Sequence, residues 1–280
     1  PAMHTEMYEH AAVQRNLEVL RMDGVHIVGP ASGELAGGDQ GLGRLEEPEV
    51  IVAALADVLE QRTDLVGLSV LITAGGTREA IDPVRYIGNR SSGKMGNAIA
   101  EAAAQRGANV TLVTTAPAPE TGGVDVVRVE TAQEMAEATW QRAGGADVAI
   151  MAAAVADFRP AAVADSKLKR ADGSPAIELE STPDVLAGVA QMTHRPFLVG
   201  FAAETGSLDD AVSKAQRKGV DLLVANDVSK DGSGFGTDTN QVTLITASGD
   251  TEPWDLMSKR QVADRLLDRI IAMRTSGERS

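Results

Sequence analysis

The chain has 280 residues, enough for one large domain or for a large one with a smaller companion. Hydrophobic residues make up 43% and charged residues 24%, the range of a soluble globular protein, and no apolar run approaches the roughly 20 residues that cross a bilayer. A formal net charge of −14 argues against nucleic acid and anionic membranes as partners, and the absence of cysteine excludes a disulfide framework or a thiolate metal site.

A small anionic ligand stays compatible with this charge if cations gather locally, so the placement of the 26 Lys and Arg residues decides the matter. The start, PAMHTEMYEHAAV, lacks the basic stretch and apolar core of a secretion signal, which makes a cytoplasmic location the default. Its first residue is Pro1, so the chain is expected to begin inside a longer protein or to have been trimmed.

Residues 1–63 read as a fragment. A helix is expected over 9–22, with Val13, Leu17 and Leu20 on one face, then a short strand at 26–30 and a Gly-rich loop, ASGELAGGDQGLGR. Pro48 opens a second helix whose apolar face carries Ile51, Leu55, Val58 and Leu59.

From residue 66 the pattern changes. Apolar, β-branched runs at 68–73, 110–115, 124–129, 147–152, 197–202, 220–225 and 241–246 predict strands. Helical patterns occupy 93–106, 132–142, 184–191, 208–218 and 258–273, and Thr131 with Glu134 forms a capping box. Strands alternating with helices predict an α/β fold of Rossmann-like type, a three-layer, mostly parallel sheet. Ligands of such sheets bind beyond the carboxyl ends of the strands. Residues 160–181 break the alternation and read as an inserted flap or hairpin: a strand KLKR, a turn ADGS, then AIELE. The domains are therefore 1–63, 66–274 and a tail at 275–280.

The longest irregular segment, AGGTREAIDPVRYIGNRSSGKMG at 74–96, is too long for a simple connector. Gly75 and Gly76 permit close backbone approach, and Arg78, Arg85, Arg90 and Lys94 concentrate four cations. Ser91 and Ser92 precede a helix whose free N–H groups suit a phosphate; the alternative is that one serine is an ordinary helix cap. Gly88–Lys94 imitates a P-loop, but Met95 stands where a magnesium-binding hydroxyl belongs, and no dinucleotide fingerprint follows the first strand.

Other features are weaker alone. Ala152, Ala153 and Ala154 end a strand in small residues that let a flat base lie against the backbone, and Asp157 behind them is either a ligand or a turn residue. Phe158 is expected in the core. Lys167 and Lys169 share one face of the expected flap strand, where charges either meet an anion or blunt an edge. Lys214 and Lys218 lie four apart on a helix, a mildly repulsive spacing that an overlying anion, or Asp210, would relieve.

Taken in order, GGTREAIDPVRYIGNRSSGKMG, AAVADFRP with KLK, VGFAAET, and ANDVS with GFG resemble phosphopantothenoylcysteine synthetase over residues 67–272. In many bacteria that enzyme is the C-terminal half of a bifunctional protein, and PAMHTEMY and LAGGDQGLGRLEEP resemble the end of its FMN-dependent decarboxylase half. The resemblance implies a ligase of coenzyme A biosynthesis. CTP activates 4′-phosphopantothenate as an acyl-cytidylate with loss of pyrophosphate, and the amine of cysteine then displaces CMP.

It further implies magnesium as the metal, and a homodimer whose sites are completed across the two-fold, with a higher oligomer if the whole decarboxylase half is present. Asn89 would hold the activated carbonyl, and Lys167 would meet the phosphates. Asp157 would serve the nucleotide or its metal, and Arg85 would bind substrate beside Asn89. Gly75, Ser92, Gly93, Met151, Ala152, Ala153, Thr182, Pro183, Asp184, Val185, Phe201, Lys214 and Lys218 would bind the nucleotide. The alternative of a non-catalytic nucleotide-binding module sits poorly with the presence of Asn89, Lys167 and Asp157. The decarboxylase pattern is broken: His4, Tyr8 and Gly37 stand where that family has Asn, Trp and Cys, so FMN is expected only in a full-length bifunctional protein and decarboxylation is not expected here.

Overall fold

The computed structural model describes residues 1–22, 25–35, 37–59, 62–169, 176–204, 213, 217–227, 234 and 236–276. The chain forms two compact units, Pro1–Arg62 and Thr63–Ser280. The expected turn of the flap, most of the expected helix 208–218 including Lys214 and Asp210, and most of the glycine loop after residue 227 lie outside the described residues.

The first unit contains α1 (Thr5–Tyr8), α2 (Ala11–Met22), β1 (Ala31–Glu34), β2 (Gln40–Arg44) and α3 (Pro48–Leu59). Two expectations are corrected. Residues 26–30 form no strand, and the Gly-rich stretch is an antiparallel hairpin instead of a loop. The glycines have a steric cause: a Cβ at Gly43 would run into the Met3 carbonyl, whose own amide donates to the Gly43 carbonyl at 2.8 Å. Leu20 is exposed, so the apolar face of α2 buries chiefly Leu17.

The second unit contains β3 (Ser69–Ala74), β4 (Arg78–Ala80), β5 (Tyr86–Gly88), α4 (Lys94–Gln105), β6 (Asn109–Thr114), β7 (Val124–Arg128), α5 (Ala132–Ala143) and β8 (Val148–Met151). It continues with β9 (Phe158–Pro160), β10 (Leu179–Ser181), α6 (Val185–Ala190), β11 (Phe197–Glu204), β12 (Leu222–Asp227) and β13 (Thr239–Asn240). Last come β14 (Val242–Thr246), β15 (Thr251–Pro253), β16 (Met257–Ser258) and α7 (Lys259–Ser276). All seven strands expected from residue 66 onward are present.

The main sheet runs β15-β14-β12-β11-β8-β3-β6-β7, with β12 through β7 parallel, β14 antiparallel to β12, and the edge strand β15 antiparallel to β14. In chain order the parallel part is 6-5-4-1-2-3, the doubly wound arrangement, and its order reverses between β3 and β8.

Residue alternation assigns the layers. Val70, Ile72, Val199, Leu222, Val224 and Leu244 face one side, where Ile99 and Ala103 of α4 and Val262, Leu266 and Ile270 of α7 cover them. Leu71, Leu198, Leu223 and Ile245 face the other, against Met135 and Ala136 of α5 and Val185 and Val189 of α6. Each of these strand positions is at most 2% exposed, so truncating one of the leucines or isoleucines to alanine would cost about 2–5 kcal/mol. Among the described residues no helix is long and apolar enough to cross a membrane.

The buried ion pairs lie at the ends of elements. Arg106, at the end of α4, meets Asp64 at 2.6 Å and Asp268 of α7 at 2.8 Å. Burial works against its charge, but those two carboxylates raise its pKa above the ordinary arginine value. Arg195 grips Asp221 through both terminal nitrogens, at 2.5 and 3.0 Å, and Asp221 also accepts the Leu198 amide, fixing the entries to β11 and β12.

The flap differs from its expected form. KLKR is not a strand where it is described, so Lys167 and Lys169 do not share a strand face. The pairing lies at the flap's root, β9 against β10, and Phe158 in β9 is 53% exposed instead of in the core. A second small hairpin, β4–β5, forms inside the long 74–96 segment.

Candidate active site

Beyond the carboxyl ends of the central strands the loops after β3 and β8 run side by side. Gly76 bridges Ala154 as in a parallel ladder, the Ala154 amide donates to the Gly75 carbonyl at 2.8 Å, and the Ala156 amide donates to Thr77 Oγ1 at 2.9 Å. Asn89 Nδ2 donates to the Val155 carbonyl at 2.9 Å, which fixes its side chain between these loops.

A cavity of about 600 Å³ opens here, at the point where the strand order reverses. Its floor is Met151–Val155, and one wall is Gly88–Gly96, leading into α4. The opposite side carries Asp184, Val185 and Leu186 at the start of α6, Phe201–Ala203 from β11 and Lys218. A second cavity of about 450 Å³ shares the wall Asn89–Ser92 and is bordered by Gly76, Arg78, Tyr86 and Thr115. Arg78 stacks over the Tyr86 ring at 5.2 Å.

Four cations border the first cavity. Lys94 meets Asp238 at 2.6 Å and the Gly236 carbonyl at 3.1 Å. Lys259, buried, donates to the Gly234 and Thr237 carbonyls at 3.3 and 2.5 Å. Lys218 pairs with Asp184, and Arg90 is exposed and without a partner among the described residues. Burial, then the nearby Lys94 charge, lowers the pKa of Lys259. The Lys94 hydrogen bond and charge hold the Asp238 carboxyl below its ordinary range. For Asp184, burial opposes ionisation, but the Lys218 hydrogen bond and the Ala187 amide outweigh it and lower its pKa.

The α4 N-terminus lacks a side-chain cap: Gly93 is the cap residue, so neither serine plays the capping role. Ser91 Oγ lies 3.5 Å from the Gly93 amide, while Ser92 is exposed in the cavity wall. The free N–H groups of this first turn and the positive end of its dipole suit an anion.

Of the residues singled out in the sequence, Asn89, Ser92, Gly93, Met151, Ala152, Ala153, Asp157, Asp184, Val185, Phe201 and Lys218 all border this cavity. Gly75 lies behind the wall, and Thr182 is fastened through its hydroxyl to the Ala156 carbonyl at 2.5 Å, with Pro183 leading into α6. Lys167 is exposed on the flap and borders neither cavity; nor does Arg85, whose guanidinium holds Asp82 and the Leu168 carbonyl.

Lys259 and Asn240 border the cavity without having been expected. Lys259 left a signal: a lysine in the first position of a helix opposes the dipole and needs another partner. Among the described residues Asp157 belongs to no cluster of three metal-ligating side chains. A magnesium ion there would take its remaining ligands from phosphates and water, as is usual at nucleotide sites.

The doubly wound order, the cavity at its reversal point and the cations around it define a Rossmann-like protein built to hold an anionic ligand. The family model described as DNA/pantothenate metabolism flavoprotein C-terminal domain matches residues 65–273, and the one described as Flavoprotein matches residues 1–60. The chain belongs to the DNA/pantothenate metabolism flavoprotein C-terminal domain family, the synthetase family that its motifs resemble.

The coenzyme A biosynthesis bifunctional protein CoaBC of Mycobacterium tuberculosis is 47% identical over 289 residues, covering 97% of this chain and 69% of that protein. The protein of the same name from Haemophilus influenzae is 48% identical over 275 residues, covering 97% and 68%. The crystal structure of the C-terminal domain of CoaBC matches with a TM-score of 0.64 and 40% identity, over 76% of this chain and 99% of that one.

Proposed function

We propose that the second unit is the phosphopantothenate–cysteine ligase of coenzyme A biosynthesis, working through an acyl-cytidylate. The observation that carries this reading is the convergence of Asn89, an uncapped helix N-terminus and four cations on one cavity in a strongly acidic protein. A carboxylate oxygen attacks the α-phosphorus of the nucleotide and the bond to pyrophosphate breaks. Two anions must approach each other, so cations are needed where the charge develops. The cysteine amine then attacks the acyl carbon, CMP leaves, and the amine loses a proton; this step needs positioning more than a strong base.

Lys218 would receive the phosphates together with Lys214, which lies outside the described residues, and the Asp184 that now pairs with Lys218 would give way to them or reorient the ammonium. Asn89 would hydrogen-bond the acyl carbonyl. Asp157 would hold a magnesium ion carried by the triphosphate, which would supply further neutralisation of the phosphate charge.

The cytosine ring would lie on Ala152 and Ala153 beside Phe201. The Ala153 and Ala154 amides are already donated to Thr73 Oγ1 and Gly75, so base selection would fall to backbone carbonyls accepting the exocyclic amine. Adenine carries its exocyclic amine on a larger ring, which would misplace the amine and leave such carbonyls unpaired, so CTP is expected to exceed ATP by more than about tenfold in kcat/KM. Pyrophosphate release measured with 4′-phosphopantothenate and each nucleotide in turn, with and without cysteine, tests this; equal rates with ATP refute cytidine selection.

Lys167 would act from the flap on the site of a second copy. In favour, it borders neither of the two cavities described above, and Val84, Tyr86, Phe158, Val163, Ile177 and Leu179 leave an apolar surface around the β4–β5 hairpin and the flap root. Sets of exposed apolar groups of this kind mark interaction sites, and a two-fold pairing would let each flap serve the other copy. Light scattering of residues 63–280 should give a dimer, and Val163→Asp with Leu179→Asp should give an inactive monomer. A fully active monomer contradicts the shared site.

For the first unit we propose the end of a decarboxylase half, with decarboxylation not expected from the residues it carries. His4 Nε2 lies within hydrogen-bond distance of Asp39, at 3.2 Å, so at this position the unit presents an imidazole where the family has an amide. With Gly37 in place of the family's cysteine, this unit presents no thiol for that chemistry.

A further inference from the structure

The flap carrying Lys167 is fastened at Leu168, next to that lysine, to one buried carboxylate that the chemistry above does not use. Asp82 lies between β4 and β5, and its side chain is fully buried. Its Oδ1 accepts the amides of Val84 and Arg85 at 2.9 and 2.8 Å, which closes the local turn. Its Oδ2 accepts Arg85 Nε and Nη2 at 2.9 and 2.5 Å and, from 86 residues away, the Leu168 amide at 3.1 Å.

Arg85 Nη2 donates onward to the Leu168 carbonyl at 2.9 Å, so both polar groups of Leu168 are held. On the other side of Lys167 the Ala164 amide donates to the Ile81 carbonyl at 3.0 Å. The segment 165–167 is thus bracketed by two attachments to the same 81–85 loop.

A loop that needed only its own turn would stop at the two local amides. Here the second oxygen of the carboxylate reaches the flap, next to a lysine that has no partner among the described residues. We propose that Asp82 is a positioning residue for acyl-nucleotide formation: with Arg85 it clamps Leu168 and so sets where Lys167 stands. The inference rests on the reading of Lys167 as the lysine that meets the phosphates. The hydrogen bond from Arg85 keeps the Asp82 carboxyl well below the usual carboxylate range, so the clamp stays ionised at working pH. It also gives Arg85 a task other than binding substrate.

The test is a double-mutant cycle in the full chain, Asp82→Asn against Lys167→Gln. Two half-reactions are read: pyrophosphate release without cysteine, and aminolysis of supplied synthetic acyl-cytidylate. Asp82→Asn should slow pyrophosphate release by at least about thirtyfold, through kcat more than KM, and leave aminolysis within about twofold. In the Lys167→Gln background the same change should cost less than about a further twofold, because residues acting as one unit are not additive.

If Asp82→Asn falls below the assay temperature in thermal stability, Arg85→Gln, which removes the hold on the Leu168 carbonyl, replaces it in the cycle. Equal loss of both half-reactions, or a loss that multiplies with that of Lys167→Gln, overturns the positioning role. An unmutated chain that releases no pyrophosphate overturns the ligase reading itself and the positioning role with it.

Discussion

Asn89→Asp is expected to keep forming acyl-cytidylate, with pyrophosphate release within about threefold of the unmutated chain, yet to transfer it to cysteine at least about a hundredfold more slowly. The asparagine is uncharged and cannot neutralise a triphosphate. Its amide, held by the Val155 carbonyl at 2.9 Å, can donate to an acyl oxygen that gains negative charge during amine attack. A carboxylate in its place repels that oxygen.

Lys167→Gln should show the opposite pattern. It removes a full charge from where pyrophosphate departs, so intermediate formation itself should fall by about 10²–10³. Quenched reactions analysed by mass spectrometry separate the two outcomes, since only the Asn89 variant accumulates the intermediate. If Asn89→Asp blocks pyrophosphate release as completely as Lys167→Gln, both residues act in activation and the division of labour is wrong.

Gly76→Ala should be nearly as damaging to turnover without touching any reacting group. A Cβ on Gly76 would lie 2.5 Å from the Asn89 carbonyl oxygen and 3.4 Å from Ser91 Cβ, so backbone must move. The Asn89–Ser92 segment is the wall shared by both cavities, and a shift of about 1 Å there would cost roughly a hundredfold in kcat. Thermal unfolding should change by only a few degrees, because a strain of about 1–2 kcal/mol moves the midpoint of a domain this size by roughly 2–8 °C. Turnover within threefold of the unmutated chain would show that Asn89 does not need its present place.

The parallel sheet was legible because burial on both faces forces long apolar runs, such as SVLITA and FLVGFA, separated by helical periodicity. The hairpin at 31–44 was not, because its glycines answer to backbone neighbours, Met3 among them, that no periodicity records. Phe158 misled for a related reason: an aromatic residue was assigned to the core by type, whereas its two-stranded root belongs to the exposed apolar surface.

At the site, the residues of the first long segment and of the strand ends could be read from charge and small size, and most of them border one cavity. Lys259 could not, because what gives it meaning is the cavity that α7 happens to reach. The flap was legible as an insertion but not in its attachment, since a bond between Asp82 and Leu168 leaves no trace in local pattern.

On the proposed reading, this chain activates a carboxylate as a mixed anhydride with CMP before cysteine takes part. The most direct measurement is the exchange of labelled pyrophosphate into CTP, in the presence of 4′-phosphopantothenate and magnesium and with cysteine left out. Reversible acyl-cytidylate formation predicts exchange that requires 4′-phosphopantothenate and disappears in Lys167→Gln. If the label enters CTP only when cysteine is present, or fails to enter it while product still forms, the two-step account is contradicted.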